Sequence, residues 1–191
     1  MLLKRILDFV VSLSVLLLFG WLIVLFWAIA AIDTKSSGIF RQTRIGQFAK
    51  PFTILKLRSM TDTDPKIITP YGKWMRKYKV DELPQFLHVL IGQMSLVGPR
   101  PDVPGYYDKL EGDDRNVLKL KPGLTSDAAI KYSNEDELLS EQPDPLRYND
   151  EILFPDKVKM NLYYVENRSF FGDIATLLRT FAKFIPAKNR Q

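Results

Sequence analysis

Two adjacent carboxylates, Asp81 and Glu82, open the stretch VDELPQFLHVL at residues 80–90. Leu83, Phe86, Leu87 and Leu90 recur in it at helical spacing, which predicts an amphipathic helix with Pro84 in or near the first turn. Carboxylates in that position have two readings. They cap free N–H groups and complement the helix dipole. Alternatively, kept ionised by the dipole and nearby cations, they do chemistry: an ionised Asp attacks phosphorus, and a second carboxylate holds Mg²⁺ or takes a proton. The pattern alone leaves both open. Gln85 and His88 follow on the same stretch and are candidate neighbours of the pair; His88 lies on roughly the face of Asp81 and reads first as a surface or packing residue.

The charge around the pair favours chemistry on phosphates. Residues 35–80 carry eleven basic and two acidic side chains, a net of +9, whereas residues 81–161 carry a net of −7 and the whole chain +5. The basic stretch is a local anion attractor that would offset phosphate charge in a transition state; the alternative is a solvated basic face. Arg100 stands between Pro99 and Pro101, which limit the backbone on both sides. A guanidinium held there is preorganised for bidentate phosphate contact, or is simply solvated on a rigid turn.

Elements must position these groups. Residues 39–45 and 52–58 read as the strands of a β-hairpin carrying Arg41, Arg44, Lys56 and Arg58, with Gly46–Pro51 as its turn. Residues 61–70 read as a loop, 71–79 as a short basic helix or turn, and 105–121 as a charged helix. The acidic, proline-bearing segment 133–156 is expected to have little regular structure. Residues 169–185 place Phe170, Phe171, Ile174, Leu177, Leu178, Phe181 and Ile185 on one helical face. Arg179 and Lys183 stand off that face, and Lys188 and Arg190 follow it. This is either a core helix or an interfacial helix lying in lipid headgroups, and the mix of aromatic and basic residues tilts toward the interface.

From Phe9 to Ile32 the chain runs 24 residues without a charge. The run is too long for a signal peptide and apolar on every side, so it reads as membrane-inserted. Lys4 and Arg5 precede it and the basic stretch follows. A single span would separate these cations, and a helix that bends near Gly20 and leaves by the same face would not. Ser12 and Ser14 can return hydrogen bonds to the backbone; no Pro forces a bend. The residues leave the two topologies open.

Other classes are excluded more simply. Without Cys there is no disulfide framework, zinc finger or thiol nucleophile. There is one His and no GxSxG, GxxxxGK[ST] or GxGxxG motif. Few aromatics interleave the cations of 35–80, so nucleic acid is not an expected partner.

The strings KPFTILKLRSM, RKYKVDELPQ, GQMSLVGPRPDVP and KPGLTS resemble the small monotopic phosphoglycosyl transferases, the initiating sugar transferases of bacterial glycoconjugate synthesis. The resemblance runs from Lys4-Arg5-x-x-Asp8 to YYVENRSFFGD at 163–173. It implies a Mg²⁺-dependent transfer of sugar-1-phosphate from a UDP-sugar to polyprenyl phosphate, with release of UMP, at the cytoplasmic face of the bacterial inner membrane. Asp81 would be the nucleophile and form a covalent phosphosugar intermediate. Glu82 would assist the metal or deprotonate the acceptor, so both carboxylates are candidate metal ligands. Lys56, Arg76 and Arg100 would neutralise phosphates, with Arg58, Gln85 and His88 as site neighbours.

The resemblance also implies an α+β, mostly helical fold. Its parts are a re-entrant membrane helix at residues 1–34 and a cytoplasmic catalytic domain at 35–191. Membrane lipid joins the substrates as an expected partner; whether the chain forms a homodimer stays open. A second reading is a catalytically inactive, membrane-anchored binding relative. Three positions depart from the family pattern. Gly20-Trp21 replaces a helix-breaking Ser-Pro, His88 replaces Asn, and Ser133 replaces an Arg that holds nucleotide.

Overall fold

The computed structural model describes residues 2–184 and is a mostly helical α+β fold. Its two compact units cut across the sequence. One comprises Met1–Arg44 with Pro51–Met94, and the other Ile45–Lys50 with Ser95–Gln191.

Helix α1 (Leu2–Thr34) begins the first unit. It is long and apolar enough to cross a membrane. It stays helical through Gly20-Trp21, so a bend there is made without leaving the helix. The physical reason is that Gly, unlike Pro, keeps its N–H donor and clashes with nothing in the preceding turn. Ser12 returns its hydroxyl to the carbonyl of Asp8, as expected. Buried residues lie only toward the two ends of α1: Asp8 and Ser12 near the start, Ala30 and Thr34 near the finish.

The hairpin forms as expected, from β1 (Ile39–Ile45) and β2 (Pro51–Leu57). Helix α2 (Pro70–Lys77) follows. Thr69 caps it by accepting the Gly72 N–H at 2.8 Å, and Pro70 sits at the first position, where its missing donor costs nothing. Gly72 is required by close approach. A Cβ there would stand 2.0 Å from the carbonyl oxygen of Ser59. Ala30, Leu57 and Met75 form the core of this unit, with Phe26, Ile39, Tyr71 and Val80 packed around them.

The predicted 80–90 helix is two elements. Residues Val80–Gln85 form a 3-10 turn, and only Phe86–Ile91 is α-helical (α3). Its buried side also differs from the apolar stripe. Pro84, Gln85, His88 and Val89 are buried, and Leu87 is exposed. The tighter turn before Pro84 changes the angular position of every later residue, so a stripe drawn at one helical period does not mark the inner face. At the far end, Arg5 of α1 donates to the carbonyls of Val89 (2.6 Å) and Leu90 (2.7 Å). The Leu90 carbonyl gains a donor, the Val89 carbonyl adds one to the Gly92 N–H it already accepts, and a cation stands against the negative pole of the helix. Both ends of α1 are therefore fastened to the same unit, Arg5 on α3 and Ala30 beside β2 and α2.

The second unit holds a parallel pair that the sequence reading missed, β3 (Ser95–Val97) and β4 (Gly123–Thr125). Gly123 lies so near Gly98 that a Cβ on it would stand 2.2 Å from the Gly98 nitrogen. Residues 105–121 form two short 3-10 segments, Tyr107–Lys109 and Gly112–Lys119, and not one helix. Gly105 and Gly112, both at positive φ, interrupt it. After α4 (Asp127–Lys131) the acidic segment is more regular than expected: α5 (Glu135–Ser140) and α6 (Pro145–Tyr148) lead into α7 (Phe154–Asn167). Two of its prolines sit at helix starts, Pro145 behind the capping Asp144 and Pro155 in the first turn of α7. The core gathers Ile45, Tyr107, Val117, Leu118 and Val158.

Helix α8 (Phe170–Phe184) turns its polar side inward. Asp173 and Thr176 are buried, whereas Phe171 is 80% exposed, Leu178 64% and Phe181 66%. Thr180 meets Thr125 at 2.8 Å and Tyr164 donates to Asp173 at 2.5 Å. The cations off the apolar face are occupied: Arg179 pairs with Asp127 (2.8 Å), and Lys183 donates to Ser133 (2.7 Å) and to the Ile130 carbonyl. Ile185, Lys188 and Arg190 lie outside the described residues.

Candidate active site

The dyad is built by three neighbouring elements of the first unit. Strand β2 supplies Lys56, α2 supplies Arg76, and the 80–85 turn supplies Asp81 and Glu82. Between the last two, Lys79 takes a left-handed conformation (φ 55°) that swings the chain out of α2 into the turn. Such a conformation is uncommon for a side-chain-bearing residue. Lys56 Nζ reaches Glu82 Oε1 at 3.1 Å, with both side chains largely shielded from solvent. Arg76 is held by Ser59, whose hydroxyl accepts from its Nε at 2.9 Å, and its Nη2 points to Met60 Sδ at 3.4 Å.

Asp81 is different from its partner. It is 7% exposed, and its Oδ1 is enclosed without a hydrogen-bond partner. Burial and the adjacent Glu82 push its carboxyl above the usual carboxylate range, while Lys56, Lys79 and Arg76 pull it back. For Asp81 the influences are therefore opposed, burial working against the charged form and the cations for it. Desolvation is the largest influence, since a 3-10 turn has replaced the helix start and the carboxylate is buried. The cations act against it. The result is an uncommitted carboxylate oxygen within a cationic surround, the arrangement a nucleophile toward phosphorus requires.

The remaining candidates fall in different places. Gln85 is 2% exposed, with Nε2 unpartnered. His88 is buried and used structurally. Its Nε2 accepts the Leu55 N–H at 3.2 Å and its Nδ1 lies 2.8 Å from Gln93 Oε1. That pairing selects the neutral tautomer with the proton on Nδ1 and ties α3 to β2. Arg58 is turned away, to Asp62 (2.7 Å) and the Ile39 carbonyl (3.5 Å). Arg100 belongs to the second unit, where it lines a narrow cavity with Pro99, Pro101 and Tyr107. Lys79 and Ser59 were missed by the sequence reading. The position of Lys79 directly before Val80-Asp81 is the signal that could have marked it.

Among the described residues no three His, Asp or Glu side chains gather to hold a metal. The dyad offers two carboxylates, one with a free buried oxygen. That fits Mg²⁺, which is usually held by one or two carboxylates with substrate phosphates and water completing its shell.

Comparison with known proteins gives the family. A family model described as bacterial sugar transferase matches residues 1–187. The uncharacterized sugar transferase EpsL of Bacillus subtilis is 32% identical over 100% of this chain and 91% of its own length. A Klebsiella pneumoniae protein named UDP-glucose:undecaprenyl-phosphate glucose-1-phosphate transferase is 31% identical over 96% of this chain, which spans only 40% of that relative. A Caulobacter vibrioides protein of the same name is 31% identical over 97% of this chain and 71% of its own length. Matched over nearly its whole length, the chain belongs to the bacterial sugar transferase family.

Proposed function

We propose that the chain transfers a sugar-1-phosphate from a UDP-sugar to polyprenyl phosphate, releasing UMP, through an aspartyl-phosphosugar intermediate. The observation that carries this is the buried, unpartnered Oδ1 of Asp81 among Lys56, Arg76 and Lys79. The names of the relatives supply the substrate classes.

In the first half-reaction Asp81 Oδ1 attacks the phosphorus that bears the sugar, and the bond to the UMP oxygen breaks with its electron pair leaving on UMP. Arg76 and Lys79 offset the charge gathered on the phosphates. Lys56 fixes Glu82 and keeps that carboxylate from competing for phosphorus. In the second half-reaction an oxygen of polyprenyl phosphate attacks the same phosphorus, Glu82 takes its proton if it carries one, and Asp81 leaves as a carboxylate. Mg²⁺ held by Asp81 and Glu82 would neutralise charge on the diphosphate. Arg100 enters this reading from its motif and not from geometry. Splitting the transfer in two means the soluble dianion departs before the lipid anion reacts.

The fastening of both ends of α1 to one unit supports monotopic insertion from the cytoplasmic face, since a straight span would part Arg5 from Ala30 across the bilayer. The outward apolar face of α8, and the exposed Trp74 and Tyr78 of α2 linked to Phe26 through ring contacts, support contact with lipid headgroups.

The test is a UMP-release screen across UDP-sugars with undecaprenyl phosphate and Mg²⁺. Intact-mass measurement should find a sugar-phosphate on Asp81, and Asp81→Asn should release no UMP. Full activity in Asp81→Asn overturns the mechanism. A protein that binds donor and never releases UMP is the inactive binding relative. For topology, the Cys-free chain allows a Leu3→Cys variant, which should react with an impermeant reagent in inverted vesicles; reaction only in right-side-out vesicles refutes monotopic insertion.

A further inference from the structure

Gln85 is the anomaly of the first unit. A primary amide that is 2% exposed with an unpartnered Nε2 has lost its water without gaining a bond. Leaving such a donor unsatisfied costs about 1–3 kcal/mol, and native proteins seldom tolerate it without cause. The second orphan of this turn is Asp81 Oδ1, four residues earlier on the same element. One is a donor and the other an acceptor, yet they do not bond to each other. What would satisfy both is a group that offers an electrophile to Asp81 and an acceptor to the amide. A tetrahedral phosphoryl group does so through its phosphorus and a non-bridging oxygen.

We infer that Gln85 is a further catalytic residue, its Nε2 donating to a non-bridging oxygen of the phosphoryl group during transfer. This rests on the reaction proposed above. The amide keeps both protons throughout; only the phosphorus–oxygen bonds to UMP and to Asp81 change. A neutral donor suits this place better than a cation. Lys56 shows the difference, because it ion-pairs with Glu82 and occupies that carboxylate. A lysine or arginine at position 85 would clamp Asp81 in the same way, whereas an amide assists the electrophile and leaves the nucleophile's oxygen uncommitted.

The discriminating variant is Gln85→Met, which keeps the volume and removes the amide. Rapid-quench UMP release and the phosphosugar mass adduct are followed in the full-length protein in nanodiscs, with thermal unfolding in parallel. Expected is a fall of about 10–100-fold in kcat with KM for both substrates within about twofold. The melting temperature should equal or exceed that of wild type, since an unsatisfied donor is gone. Gln85→Glu, of the same shape but repelling phosphate, should fall further. Wild-type kcat in Gln85→Met, a raised KM with unchanged kcat, or lost activity accompanied by a lowered melting temperature each overturns the role. A wild-type protein that releases no UMP from any UDP-sugar overturns the underlying reaction instead, and the role of Gln85 with it.

Discussion

Gly72→Ala sets two general effects against each other. In a helix interior this change ordinarily stabilises by about 0.5–1 kcal/mol, because Gly has more backbone freedom to lose. Here the new Cβ would stand 2.0 Å from the Ser59 carbonyl oxygen, 2.7 Å from its carbon and 2.8 Å from its Cα. Close C···O contacts lie at about 3.3 Å, so α2 and the Ser59 backbone must part by about 1 Å. All three atoms are backbone, and none can swing aside as a flexible side chain would. Overpacking of this kind costs about 1–3 kcal/mol, which outweighs the helix gain. The same displacement parts Arg76 from the Ser59 hydroxyl that holds it at 2.9 Å. A shift of about 1 Å in a positioning contact can cost about 100-fold in rate. The assay pairs thermal unfolding with UMP release, in nanodiscs, for Gly72→Ala and for Gly20→Ala as control. At Gly20 an added methyl meets nothing within 4 Å. Lowered stability and activity are expected at residue 72 and near-wild-type behaviour at residue 20. A Gly72→Ala protein at least as stable as wild type, with full turnover, would refute the steric argument and the claim that Ser59 places Arg76.

Further outcomes follow from the first unit. Asp81 has its carboxyl raised in the folded state, so the folded protein binds its proton more tightly and the ionised form costs stability above the folded pKa. Asp81→Asn should therefore unfold at higher denaturant than wild type at neutral pH, with the gap closing as pH falls through the carboxylate range; an unchanged or widening gap contradicts this. His88→Ala removes the link from Leu55 to Gln93 and should cost about 1–3 kcal/mol, while His88→Asn, which keeps an acceptor, should cost less. Equal losses in denaturant titrations would count against the tautomer assigned here. Arg5→Ala removes two charge-assisted bonds to the end of α3 and should cost about 2–4 kcal/mol, with Arg5→Lys intermediate. Chemical unfolding that leaves Arg5→Ala within about 0.5 kcal/mol of wild type would show that those bonds carry nothing.

The legible parts of the chain were those set by local periodicity. The strands at 39–45 and 51–57 and the long α1 follow from alternation and an unbroken apolar run, whereas the Thr69-Pro70 start of α2 lay in a stretch read as loop. The inner face of α3 was not legible, because a 3-10 turn ahead of Pro84 shifts the phase and a stripe calculation cannot register it. The β3–β4 pair joins three-residue strands separated by the whole 98–122 segment, so no short-range pattern announces it. In the site, Asp81, Glu82 and the cations were visible as residue types. The burial of Asp81 was not, since it depends on what packs against the turn from β2; His88, read first as a surface or packing residue, is used in packing. Arg58, basic and two residues from Lys56, looked equivalent to it, yet it turns toward Asp62.

Helix α1 has a consequence for how this protein can be handled. Ala30 is part of the same core as Leu57 and Met75, and Arg5 terminates α3, the helix that continues directly from the turn bearing the dyad. A truncation starting near residue 35 would strip a wall from that core and take the guanidinium from the Val89 and Leu90 carbonyls. Replacing residues 1–34 with an unrelated anchor would restore tethering without restoring either contact. Solubilised forms should accordingly lose their fold and not merely their address, and chimaeras should succeed only where the donor helix brings its own arginine and small residue to these two points.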